Sequence, residues 1–139
     1  NKIQSQSTTS TSSITMAAAV EAISGPQDFI NEHNKKFLKR RDLVLNKLND
    51  IDGITCQKPD GAFYVYPNCA GIIGKKTPNG KHISNDEDFM TYLLEDQGVA
   101  GVHGAAFGLS PYFRLSYATS DAILEDACNR IKEACNKLT

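Results

Sequence analysis

No apolar run in the chain is long enough to cross a membrane. The longest, around MAAAV at residues 16–20, falls far short of the roughly 20 residues a spanning helix requires. No basic segment followed by an apolar stretch opens the sequence either, and a cytoplasmic location is expected. A charge excess is also missing. Fifteen Lys and Arg against sixteen Asp and Glu leave a net charge of −1, so no overall field draws the protein to nucleic acid or to an anionic membrane. A small-molecule partner is the expectation. Cys56, Cys69, Cys128 and Cys135 form no CxxC, and His33, His82 and His103 are scattered. That excludes zinc-type spacing and predicts no metal site, with free thiols in a reducing compartment. A phosphate loop is absent too. The GKK at 74–76 invites that reading, but G-x-x-x-x-G-K-[ST] needs a hydroxyl where Lys76 stands and a glycine where Cys69 stands.

What is present is the composition of one soluble domain over residues 1–139, with 40% hydrophobic and 22% charged side chains and therefore enough apolar material for a core. The segment 1–13 is rich in Ser and Thr, offers almost nothing to a core, and reads as a cut edge. Ser12 or Ser13 can cap an Ala-rich helix from Ile14 to about Ile23, which Gly25 and Pro26 close. From Pro26 to about Asp50, Ile30, Phe37, Val44, Leu48 and Ile51 recur at helical offsets. The run Lys35, Lys36, Lys39, Arg40, Arg41 lies mostly on the opposite, solvated side. Segments 54–56 and 62–66, separated by the turn signal KPDG, predict a hairpin. Ser84 and Glu87 make a capping box for a helix that Gly98 ends. VAGV at 99–102 and YFRLSYA at 112–118 read as strands. Ser120 caps a last helix whose apolar face is Leu124, Ala127, Cys128, Ile131, Cys135 and Leu138. The expected architecture is α/β, of an α+β-like small-domain type: a mostly antiparallel sheet of about four strands packed against helices.

One residue of PYFRLSYATS, 111–120, stands out. Alternation along a strand places Phe113, Leu115 and Tyr117 on one face and Tyr112, Arg114, Ser116 and Ala118 on the other. Arg114 thus shares a mixed face with a ring and a hydroxyl, and its planar fork of donors suits a carboxylate or phosphate. Either an Asp or Glu of a neighbouring helix or the carboxylate of a substrate can be its partner. The loop before the strand, with Gly104, Ala105, Ala106 and Gly108, lets backbone approach a ligand closely.

Five motifs in order carry a likeness: QSQST at 4–8, FLKRRDLV at 37–44, PDGAFYVYP at 59–67, GVAGVHGAAFG at 98–108 and FRLSYATS at 113–120. Together they make the chain similar to the C-terminal part of class I aminotransferases, pyridoxal-phosphate enzymes of fold type I, with the bacterial aspartate aminotransferase branch nearest. The resemblance implies that Arg114 binds the α-carboxylate common to amino-acid and 2-oxo-acid substrates. It sets Gly104, Ala106 and Phe107 beside the substrate channel, and Gln6, Ser7 and Thr8 near the interface of a homodimer and the active site of the partner subunit. It implies that Phe63 and Tyr64 are packing residues of a small domain that closes over the substrate. His103 and Gly101 depart from the family pattern, in which a proline or glutamine and a β-branched residue are common, so a less regular strand is expected there. His103 is not expected to act as a base, because the family's proton shuttle is a lysine.

That lysine, which carries the cofactor, belongs in the family to an SK motif upstream of the segment matching residues 1–8. The expectation is therefore that pyridoxal phosphate serves a longer enzyme, while these residues alone bind no cofactor and do not transaminate. Within that reading the reaction is amino transfer from aspartate to 2-oxoglutarate. An aromatic amino acid, or glutamate with prephenate, is the alternative substrate set. A stand-alone carboxylate-binding α/β domain without catalysis is the alternative from another class.

Overall fold

A computed structural model describes residues 11–139. The described residues divide into two units, one ending at Asn34 and one running from Lys35 to Thr139. In the first, helix α1 (Ser13–Ser24) follows Ser12 as its N-cap, although the Ser12 side chain makes no capping bond. The Gly25 N–H donates to the Glu21 carbonyl at 2.8 Å and ends the helix. None of the residues of α1 is buried. Helix α2 (Asp28–Asn49) begins there and continues into the second unit, where it buries Val44, Leu45 and Leu48 at the offsets its apolar periodicity predicts.

The second unit is built on a three-stranded antiparallel sheet, in the order β1 (Tyr64–Val65), β3 (Phe113–Ser116), β2 (Val102–His103). Tyr64 lies opposite Ser116 and Val65 opposite Leu115. Val102 lies opposite Arg114 and His103 opposite Phe113. Against it packs α3 (Asp86–Gln97), and α4 (Asp121–Asn136) packs on α3. Ser120 caps α4 by accepting from the Ile123 N–H, and the helix buries Leu124, Cys128, Ile131, Ala134 and Cys135. Phe89 of α3 meets Phe113 of β3 edge-on at 5.6 Å, both wholly buried. Each such side chain contributes about 1.5–3 kcal/mol of burial free energy.

The mixed architecture is the expected one, with local corrections. The sheet has three strands rather than about four, because residues 54–56 and 62–66 do not pair as a hairpin. The Asn49 side chain takes both backbone groups of Cys56, accepting from its N–H at 2.7 Å and donating to its carbonyl at 3.0 Å. Those groups are then unavailable for a ladder, and Thr55 pairs instead with Asn68 in a single bridge. The capping box of α3 is displaced by one residue. Asn85 accepts from the Asp88 N–H, and the Asp88 carboxylate accepts from the Ser84 N–H, each at 2.9 Å. β2 starts three residues later than expected, because Gly98, at φ +65°, and Val99 terminate α3 with bonds to the Leu94 and Leu93 carbonyls.

All four cysteines are free and buried. Burial pushes the thiols up, to about 11 at Cys56 and Cys128 and about 12 at Cys69 and Cys135. They are core residues, not nucleophiles. No helix among the described residues is long and apolar enough to cross a membrane.

Candidate functional site

The sheet register assembles the site. Residues opposite one another across an antiparallel pair project to the same face, so Tyr64, Ser116, Val102 and Arg114 share one face of the sheet. Val65, Leu115, Phe113 and His103 take the other, and Val65 and Phe113 are wholly buried there. Arg114 therefore projects away from the core. His103 lies on the face opposite to it.

Arg114 is flanked by two rings. Its guanidinium carbon stands 4.4 Å from the centroid of Tyr64 and 4.4 Å from that of Phe107. Each such contact contributes about 0.5–2 kcal/mol, according to how far water is excluded. Among the described residues no carboxylate forms an ion pair with Arg114. Lys39 and Arg40 pair with Asp121, Arg41 with Asp42, Arg130 with Asp126, Lys132 with Asp50 and Lys137 with Asp96. Of the two partners open to Arg114 in the sequence, the intramolecular one is not formed among these residues.

Two further rings extend the cluster. Tyr66 stacks on Tyr112 at 5.5 Å and 13°, and meets Phe107 edge-on at 6.3 Å. Its hydroxyl donates to the Gly104 carbonyl at 3.2 Å. Burial pushes the Tyr66 phenol up and the charge of Asp86 adds to this, while Arg114 opposes it. The phenol stays a neutral donor.

Phe107 is carried by a 3₁₀ turn, Gly104–Phe107, closed by Gly108 at φ +76°. Gly104 is buried, whereas Ala106 and Phe107 are exposed. The Gly104 N–H donates to the Tyr112 carbonyl at 2.6 Å, and its own carbonyl accepts from the Leu109 N–H at 3.1 Å. A Cβ on Gly104 would fall on the Leu109 carbonyl oxygen and within 2.7 Å of the Tyr112 oxygen. Only glycine fits at that position. At Gly101, a Cβ would come within 2.8 Å of the Met90 sulfur and 3.1 Å of Leu115. Met90 thus fills the space that a side chain at 101 would take. Gln6, Ser7 and Thr8 lie outside the described residues.

Sequence reasoning set Tyr112 on the face of Arg114, assigned Tyr64 to packing and did not single out Tyr66 or Asp86. Phe63 does pack, on Phe37 and on the Tyr64 ring, but Tyr64 also lies against the Arg114 guanidinium. Alternation within AFYVY could have found Tyr64 and Tyr66 together on one face. Nothing in the local pattern distinguishes Asp86 from an ordinary acidic residue in the first turn of a helix.

Chemically, the cluster offers one guanidinium flanked by two rings and without an ion-pair partner among the described residues. Pyridoxal phosphate would require an amine for its aldehyde and a set of donors for its phosphate. No lysine among the described residues takes part in the contacts that build the cluster, and Lys39, Lys47, Lys132 and Lys137 are engaged elsewhere. The cluster does not fit the cofactor; it fits a carboxylate. No group of three or more metal-ligating side chains occurs among the described residues.

A family model described as aminotransferase class I and II matches residues 1–131. The chain is 57% identical over 137 residues to an aspartate aminotransferase of Rhizobium meliloti (strain 1021), covering 99% of this chain and 33% of that protein. It is 59% identical over 133 residues to a probable aspartate/prephenate aminotransferase of Rhizobium leguminosarum bv. phaseoli, covering 96% and 33%. The crystal structure of an aspartate aminotransferase from Rhizobium meliloti matches with a TM-score of 0.93 at 57% identity, over 99% of this chain and 34% of that one. Aspartate aminotransferase from Thermus thermophilus with maleate matches at 0.79 and 32% identity, over 96% and 32%. The chain spans about a third of the length of these relatives.

Proposed function

Because the chain belongs to the class I and II aminotransferases, we propose that it is the C-terminal, substrate-closing part of a pyridoxal-phosphate enzyme moving an amino group from aspartate to 2-oxoglutarate. Pyridoxal phosphate, held by other parts of the enzyme, would supply the electron sink. The residues described here would bind and orient. One observation carries this reading: Arg114 is flanked by two rings and has no carboxylate partner among the described residues.

Every amino-acid and 2-oxo-acid substrate carries a carboxylate next to its reacting carbon. A guanidinium can grip that group with two parallel N–H···O bonds, which fixes both distance and rotation. Arg114 would thereby hold the substrate by the end that does not change, leaving the reacting carbon exposed to the proton-shuttling base of the cofactor site. The rings beside it exclude water from the ion pair, which strengthens the grip. Closure of this part over the rest of the enzyme follows as the substrate bridges the two. We place the enzyme in the cytoplasm as a homodimer, with Gln6, Ser7 and Thr8 near the subunit interface.

The names of relatives favour a second reading of the acceptor. The protein that is 59% identical to this chain is a probable aspartate/prephenate aminotransferase, so prephenate is an alternative to 2-oxoglutarate. Arg114 would serve both, since both carry the same 2-oxo-acid end.

Steady-state kinetics of Arg114→Ala in the full-length enzyme test the reading. Losing a charged, bidentate pair removes about 3 kcal/mol of transition-state binding, roughly a hundredfold in kcat/KM. The loss is expected for amino-acid and 2-oxo-acid substrates alike. Unchanged kinetics would remove Arg114 from the substrate site.

A further inference from the structure

Asp86, the first residue of α3, is only 1% exposed, although an acidic residue in the first turn of a helix is usually solvated. Its two oxygens are directed at the loop that carries Phe107. The Ala105 N–H donates to Oδ2 at 2.8 Å, and the Ser110 hydroxyl donates to Oδ1 at 2.7 Å. These donors stand on either side of Phe107 in the chain, so the carboxylate ties the loop together at both ends. Phe107 itself is 49% exposed and meets only Arg114 and Tyr66 among the ring contacts of the described residues. A ring so poorly packed is not fixed by its own burial. Its place beside the guanidinium follows from where the loop is anchored.

We propose that Asp86 is a positioning residue for the Arg114 clamp, acting through the 104–110 loop to hold Phe107 against the guanidinium. The inference rests on reading Arg114 as the carboxylate grip. It makes one end of α3 part of the substrate site without letting it touch the substrate. What positions the loop is the pair of hydrogen bonds to residue 86; the charge of the carboxylate strengthens them. An asparagine can accept from the Ala105 N–H through its oxygen and donate to the Ser110 hydroxyl through its amide. An alanine can do neither.

The test is equilibrium binding of maleate, a dicarboxylate, to the cofactor-loaded full-length enzyme. Asp86→Ala should weaken maleate about tenfold, the scale of losing one partly desolvated cation–π contact. Asp86→Asn should stay within about twofold of wild type, because its hydrogen bonds survive. In a Phe107→Ala background, Asp86→Ala should add less than about twofold, since residues acting through one contact are not additive. Full additivity with Phe107→Ala, or an Asp86→Asn variant as weak as Asp86→Ala, overturns the proposal. If Asp86→Ala does not fold, Ser110→Ala removes one anchor from an exposed position. It should weaken maleate about threefold, again only when Phe107 is present; binding equal to wild type overturns the proposal. Wild-type maleate binding by Arg114→Ala would instead overturn the carboxylate reading on which this one rests.

Discussion

Replacing Gly104 by alanine is the sharpest perturbation of the loop that the geometry offers. The new Cβ would land on the Leu109 carbonyl oxygen, within 2.7 Å of the Tyr112 oxygen and 2.9 Å of the Tyr112 Cβ. None of these atoms is the far end of a flexible side chain, so the backbone must separate by about an ångström to restore ordinary contact. That separation breaks the Gly104–Tyr112 and Leu109–Gly104 backbone bonds and the bond from the Tyr66 hydroxyl. Three bonds at about 1 kcal/mol each, less about 0.5 kcal/mol from the lower entropy of the unfolded alanine chain, leave roughly 2.5 kcal/mol of local destabilisation. Amide hydrogen exchange over residues 104–112 of the full-length protein reads this directly, because local opening sets exchange. An acceleration of about 70-fold is expected at that magnitude. Gly61→Ala is the control. Nothing lies within 4 Å of its added Cβ, and exchange should not rise. If Gly104→Ala exchanges like wild type over 104–112, the loop is not held as described and the placing of Phe107 loses its support.

Gly101→Val should destabilise by about 1–3 kcal/mol in urea unfolding, because Met90 and Leu115 already occupy the space; trimming Met90 to Ala in the same chain should recover part of the loss. The four thiols should resist alkylation at pH 8 until the protein unfolds, since burial holds them at about 11 to 12. Rapid labelling of the native protein would contradict their burial. Burial raises the Asp86 carboxyl, but bonds from Ser110 and from the Ala105, Asp86 and Gly104 backbone outweigh it and hold it below 3.8. The unfolded chain then binds more protons than the folded one in acid. The stability Asp86 contributes is complete above about pH 3.8 and is lost as pH falls through its lower folded value. Acid-induced exchange over 104–110 should show this dependence in wild type and lose it in Asp86→Asn.

The helices were legible because their burial is periodic. Leu124, Cys128, Ile131 and Cys135 recur at offsets that only one helix face satisfies, and they are buried on α4. The orientation of Arg114 was legible by the same kind of argument, since alternation separates it from Phe113 and Leu115. What escaped depends on closures between distant residues, which leave no period. Asn49 takes the backbone of Cys56 and so removes the expected hairpin. Asp86 reaches loop residues 19 and 24 positions away. A carboxylate in the first turn of a helix is favourable for the helix dipole alone, so its sequence position gives no hint that it serves a loop. The displaced capping box shows a related ambiguity: Ser84 and Asn85 are both good caps, and only the backbone angle at Asn85, extended at φ −158°, decides between them.

The rings around Arg114 explain why a carboxylate of the protein is not needed to order it. Fixing an arginine side chain costs about 2 kcal/mol of rotamer entropy. An internal Asp or Glu would offset that cost, but it would also occupy the donors along the edge of the fork. Tyr64 and Phe107, each 4.4 Å from the guanidinium carbon, act on the π system and leave the N–H groups free to bond. The side chain is thus ordered before a ligand arrives, with its hydrogen-bonding capacity intact. Under the proposed function a substrate carboxylate would meet a donor pair that needs little further ordering, and more of the interaction would appear as affinity. On the proposed reading this separates two jobs that one ion pair would have merged: aromatic contact holds the arginine, and its donors are left for the carboxylate of a substrate.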